Sequence, residues 1–164
     1  NYRKGIPYLL DVISEMRDTA ELTVVGAYNP DDWFIKKYKD EVNIHFTGLV
    51  TFDKMQKIYE QSDVFIIPSF AEGMAQVGIE AMACGLPIIC TFNSGVSDLV
   101  EEGKSGFIIP CGDKEALKSR MTWFLENKLK IHEMGKYARD KAIRYTWEYY
   151  EDNVVIAINQ VLNL

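Results

Sequence analysis

The sequence lacks any long apolar run. Its longest apolar stretches, such as Val64 to Pro68 and Pro87 to Cys90, are only strand-length. A membrane-crossing helix needs about 20 apolar residues, so no bilayer span is expected. Basic runs are also missing. Asp and Glu outnumber Lys and Arg 24 to 18, for a formal net charge of −6. Proteins that track a phosphate backbone draw affinity from clustered Lys and Arg, so no nucleic-acid partner is expected. The acidity reads as a solubility feature and says little about fold. Cysteine is sparse: Cys84, Cys90 and Cys111 show no metal-ligand spacing. An odd count without a secretory signal predicts reduced thiols and a cytosolic location. The only histidines are His45 and His132. With no partner motif, both are expected to be structural. There is also no initiator Met and no strand ahead of Asn1-Tyr2-Arg3-Lys4-Gly5. We read the chain as an excised fragment, with an upstream portion missing.

What is present is the ordinary balance of a globular domain, 48% hydrophobic and 26% charged. No repeat, low-complexity stretch or linker divides it, so residues 1–164 are expected to form one domain. Apolar residues recur at helical spacing over 6–17. Strands are expected at Leu22 to Val25, Asn43 to Thr47, Asp63 to Pro68, Leu86 to Thr91 and Gly106 to Ile109. Between them fall helices near 31–39, 53–61, 76–84 and 95–101. Asp31 and Asp32 suit the start of the first of these, and Thr51 or Asp53 the start of the second. Beyond Asp113 the chain reads as three helices, 113–126, 130–144 and 146–162. The strands are solid apolar runs, the pattern of strands covered on both faces. This predicts an α/β, Rossmann-like, doubly wound parallel sheet of five to six strands with a helical C-terminal tail. In such sheets ligands bind beyond the carboxyl ends of the strands. In the tail, Tyr145 and Trp147, beside Tyr149 and Tyr150, are expected to pack the last helix onto the body.

The most informative stretch runs from Pro68-Ser69-Phe70-Ala71-Glu72-Gly73-Met74-Ala75-Gln76 through Val77-Gly78-Ile79-Glu80 to Ala81-Met82-Ala83-Cys84-Gly85-Leu86-Pro87. It reads as a strand end, a loop and a helix start. Unpaired amides and the positive dipole end of that helix suit a phosphate. Gly73 allows close backbone approach to a ligand. Gln76 and Glu80, four apart, share a helix face. A carboxylate at Glu80 can accept hydrogen bonds from both hydroxyls of a ribose, and Glu72 on the loop can reach sugar hydroxyls. Two glutamates eight positions apart are also common as solvated surface charges, so spacing alone does not decide between these readings. No second acid stands opposite Glu72 as a hydrolase pair requires.

The string resembles the signature of retaining glycosyltransferases with the GT-B fold, the glycogen-synthase and mannosyltransferase-like group. Pro68-Ser69, Glu72-Gly73, Glu80 through Gly85, and Pro87 match its pattern in register. Lys4-Gly5, Val24-Val25-Gly26, Phe46 through Val50, Ile58-Tyr59 with Asp63-Val64, Gly103 through Pro110, and Tyr145-Thr146-Trp147 extend the likeness over essentially the whole chain. The resemblance implies one half of a GT-B fold, the half that holds a nucleoside diphosphate sugar. It implies that Glu80 binds the ribose and that Glu72 contacts the transferred sugar. The amides of Gly73, Met74, Ala75 and Gln76 would hold sugar and diphosphate. Lys4 would neutralise the diphosphate, so Lys4 and Glu72 are the implied catalytic residues. Gly26 and the turn Gly48, Leu49 and Val50 would face the nucleobase end.

The same resemblance implies transfer of a hexosyl unit to an acceptor hydroxyl with retention, in surface polysaccharide or glycolipid synthesis. No metal or other cofactor is expected. The expected partners are the nucleotide-sugar donor and an absent N-terminal acceptor domain. Peripheral membrane contact, on the cytoplasmic side, would run through that domain, and the isolated fragment is expected to be inactive. Two alternatives stay open: a nucleotide-sugar epimerase of the same architecture, or a non-catalytic nucleotide-binding module. The sequence departs from the family pattern at two places. Met74-Ala75 stands for Phe-Gly, putting a Cβ where close approach to the sugar is expected. Ser94-Gly95-Val96-Ser97-Asp98 stands for Gly-Gly-x-x-Glu.

Overall fold

A computed structural model describes residues 2–162. Asn1, Asn163 and Leu164 of the expected 1–164 domain lie outside the described residues. A 3₁₀ turn at Tyr2–Lys4 leads into α1 (Ile6–Ser14). Then follow β1 (Leu22–Val25), α2 (Trp33–Tyr38), β2 (Ile44–Gly48), α3 (Phe52–Glu60), β3 (Phe65–Ile67) and α4 (Gln76–Ala83). After β4 (Ile88–Thr91) comes a 3₁₀ helix, Gly95–Leu99, then β5 (Gly106–Ile109), α5 (Lys114–Glu126), α6 (Lys128–Ala142) and α7 (Trp147–Leu162).

Every strand pairing is parallel, as the apolar runs predict. The strands form two hydrogen-bonded groups, β1-β2 and β3-β4-β5. Helices cover both faces of β4. Successive strand side chains point to opposite faces. Ile89 therefore joins the cluster of Leu9, Leu10, Ile13, Phe107, Leu117 and Phe124. Ile88 and Cys90 join Ile67, Met82, Val96, Leu99 and Ala138 on the other face. All four residues of β4 are buried. Each large aliphatic side chain placed this way contributes about 1.5–3 kcal/mol. The expectation of two covered faces fails for β2. Ile44 and Phe46 turn to the core while His45 and Thr47 are exposed, so among the described residues the other face of β2 is left open.

Two polar devices fasten the helices. Asp11 on α1 accepts hydrogen bonds from Lys37 and Tyr38 of α2 and from Lys114 of α5. Burial works against its charge, but those donors outweigh burial and hold the carboxyl down to about 2. Asp113 caps α5 by accepting from the Ala116 amide at 2.9 Å.

Three expectations are corrected. The first helix stops at Ser14, short of residue 17, because the amides of Glu15 and Met16 reach back only three residues and tighten the turn. Thr51 and Asp32 occupy N-cap positions, but neither side chain makes a capping bond. The last helix does not pack onto the body: no residue of α7 is buried, and Trp147 is 67% exposed. Its aromatics contact each other instead, Tyr145 with Tyr149 and Trp147 with Tyr150. Among the described residues no helix is long and apolar enough to cross a membrane.

Candidate functional site

The loop after β3 is the centre of the site. Its shape comes from three neighbours. From the N-terminal side, the Phe70 amide donates to the Arg3 carbonyl at 2.8 Å, and the Tyr8 hydroxyl donates to the Pro68 carbonyl at 2.9 Å. Gly5 makes that approach feasible. It adopts a left-handed φ of 69°, and a Cβ there would sit 1.8 Å from the Pro68 carbonyl oxygen. Only glycine satisfies both conditions. From β4, the Thr91 hydroxyl donates to the Ser69 carbonyl, and Glu72 forms a parallel bridge with Ser94. From below, Ala75 ends the loop and starts α4.

This stitching brings Lys4 and Glu72 together. The Lys4 ammonium donates to Glu72 Oε2 in an ion pair. Glu72 is the more enclosed partner, with a side chain 15% exposed against 43% for Lys4. Next to it, Gly73 and Met74 face solvent, and a Cβ on Gly73 would meet nothing within 4 Å. Gln76 opens α4, whose N-terminus no side chain caps. Such an end offers free amides and a positive dipole to an anion. Glu80 lies one turn further along on the exposed side, accepting from the Tyr59 hydroxyl at 3.3 Å. Burial, and then the Glu80 charge, push the Tyr59 hydroxyl well above its ordinary range. A cavity of about 420 Å³ beside this region is lined by Tyr2, Arg3, Pro7, Tyr8, Asp11 and Phe70. It contains neither Lys4 nor Glu72.

Ala75 corrects an expectation. Its methyl group is buried among Ile67, Met82 and Val96, so it fills core and does not intrude on the open loop face. Of the Met74-Ala75 pair, the exposed residue is Met74. Gly26 and Gly48 form a second cluster, at the ends of β1 and β2. The Gly26 amide donates to the Gly48 carbonyl at 2.9 Å, and Leu49 beyond it is 82% exposed. Val50 is half-buried. This cluster belongs to the other sheet, apart from Glu72 in the hydrogen-bonding pattern. His45 and His132 are both on the surface. All three cysteines are free thiols, and burial drives Cys90 up to about 12.

Sequence reasoning missed the backing of the loop. Asn93 donates through Nδ2 to the Phe70 carbonyl at 2.9 Å and accepts from the Glu72 amide at 3.0 Å. Gly95 donates to the Gly73 carbonyl at 3.1 Å. The one available signal was the Ser94-Gly95 stretch after the fourth strand, which says nothing of what it touches.

The fold has close counterparts among solved structures. Sucrose-phosphate synthase from Thermosynechococcus elongatus superposes with a TM-score of 0.83 at 24% identity, over 99% of this chain and 43% of that one. Anabaena HepE in complex with UDP-glucose superposes with a TM-score of 0.80 at 22% identity, over 100% of this chain and 46% of that one. Both likenesses are of fold, and the architecture they define is one half of a GT-B fold. Residues 1–127 match the family described as Glycosyl transferases group 1, and the chain belongs to that family. The sulfoquinovosyl transferase of Arabidopsis thaliana is 33% identical over 153 residues, 88% of this chain and 29% of the relative. The chain spans less than half the length of each of these proteins.

Proposed function

We propose that the chain is the donor-binding half of a retaining glycosyltransferase that moves a hexosyl unit from a nucleoside diphosphate sugar to an acceptor hydroxyl. The observation that carries this reading is the meeting of Lys4 and Glu72 beside the uncapped N-terminus of α4. A diphosphate placed there gains the Lys4 charge and the helix amides. Both strengthen as negative charge develops on the leaving group, which is how electrostatic catalysis works. Glu72 takes the sugar hydroxyls, and Glu80 takes the ribose. Gly26 and Gly48 through Val50 line the base end. No carboxylate is assigned as nucleophile, and the chemistry proposed calls for no metal. The acceptor belongs to a second domain, on which turnover depends, in a cytoplasmic synthesis of surface polysaccharide or glycolipid. Binding of UDP-glucose by HepE, as its complex records, fits this reading. Calorimetry with Glu80→Ala tests it. Nucleoside diphosphate affinity should fall about tenfold, and unchanged affinity would refute the ribose role.

A further inference from the structure

The loop after β4 holds the Glu72 loop from behind at three successive positions. The Asn93 carbonyl accepts from the Glu72 amide at 3.0 Å. Ser94 pairs with Glu72 as an isolated parallel bridge. The Gly95 amide donates to the Gly73 carbonyl at 3.1 Å. These backbone bonds tie the two loops together beyond the ends of β3 and β4. The Asn93 side chain adds a fourth tie, donating from Nδ2 to the Phe70 carbonyl at 2.9 Å. Asn93 therefore grips the loop on both sides of Ala71. At Gly95 the two loops touch so closely that a Cβ would stand 2.9 Å from the Gly73 carbonyl oxygen and 3.0 Å from the Met74 amide nitrogen.

We propose that Asn93 is a positioning residue for Glu72, and that the loop Asn93–Gly95 sets where the donor's sugar is held. The proposal rests on the reading of Glu72 as the sugar contact. Ser94 and Thr91 anchor this loop in turn: the Ser94 hydroxyl donates to the Thr91 carbonyl at 2.7 Å, and both residues are buried. The grip is thus fixed to the end of β4, whose four residues are all buried. Asn93 itself is exposed, and the proposal gives it no contact with the donor. Its effect must pass through the carboxylate of Glu72 and the backbone of Gly73. The nucleotide end of the donor, which relies on Glu80, Lys4 and the amides that open α4, should not sense it.

That separation gives the test. The chain is titrated by calorimetry with UDP, UDP-glucose, GDP and GDP-mannose. For the nucleotide that binds, Asn93→Ala should weaken the sugar form about three- to tenfold. The sugar-free diphosphate should stay within about twofold of its wild-type affinity. Asn93→Asp, which turns an acceptor toward the Phe70 carbonyl, should be no better than the alanine variant. In the background of Glu72→Ala, Asn93→Ala should cost nothing further, because coupled residues are non-additive. Gly95→Ala, which pushes the same loop without touching Asn93, should reproduce the selective loss. Equal weakening of both ligand forms overturns the proposal, because it marks general damage. So does a wild-type sugar affinity in Asn93→Ala, or additivity with Glu72→Ala. If the wild-type chain binds none of the four, the donor reading itself falls and takes this inference with it.

Discussion

Lys4 and Glu72, 68 positions apart in the chain, are joined in an ion pair at the mouth of the loop after β3. Each has a different proposed ligand. In the proposed site, diphosphate competes for Lys4 and sugar hydroxyls compete for Glu72. Lys4→Ala should therefore weaken UDP and UDP-glucose equally, by tenfold or more, since about 1.5–3 kcal/mol attaches to a charged hydrogen bond. Glu72→Ala should weaken only the sugar form. Titration of both variants with both ligands checks this. A loss confined to UDP-glucose in Lys4→Ala would contradict the assignment.

Gly5 is the hinge that puts Lys4 there. Its left-handed φ and its overlap with the Pro68 carbonyl leave no room for a methyl group. Gly5→Ala should cost about 2–3 kcal/mol of stability. It should also lower donor affinity, because the turn that carries Lys4 must move. Thermal melts and titration read the two effects. A variant with wild-type stability would show that the turn is free to shift.

Asp11 makes a pH prediction. Its carboxyl titrates near 2 in the folded chain, below its ordinary 3.8. A carboxylate depressed in the folded state stabilises above the ordinary value and loses that contribution as pH falls toward the folded one. Melting temperature should therefore decline between about pH 4 and pH 2. Asp11→Asn should start roughly 2–4 °C lower at pH 7, about the effect of 1 kcal/mol in a domain of this size. Its acid limb should be flatter. Identical limbs in the two proteins would remove Asp11 as the cause.

The tail offers a deletion. No residue of α7 is buried in the body. Truncation after Arg144 should leave the melting temperature within about 2 °C of the intact chain. It should also reduce self-association, if any is driven by the exposed Trp147, Val155 and Ile158. A large drop in melting temperature would mean that the tail packs after all.

Much of this was legible in residues and spacing. The runs Leu86 to Thr91 and Gly106 to Ile109 announced buried parallel strands. The string from Pro68 to Pro87 placed Glu72 and Glu80 on the correct loop and helix. Direction and long-range contact were not legible. Nothing local says that the Ala75 methyl turns inward, because side-chain direction at an N-cap depends on the packing beneath it. Nothing in Tyr145 to Tyr150 separates a helix that packs from one that stands clear, since aromatics serve core and interface alike. The division of the strands into two groups escaped for the same reason, as apolar runs show burial and not partners. Asn93 was invisible because its partner Phe70 is 23 positions away.

The central claim is that this chain holds a nucleoside diphosphate sugar. The most direct measurement is calorimetric titration of the wild-type chain with UDP, GDP, UDP-glucose and GDP-mannose. Saturable binding of one diphosphate, tighter in its sugar form, is the result predicted. Absence of binding to all four would contradict the account.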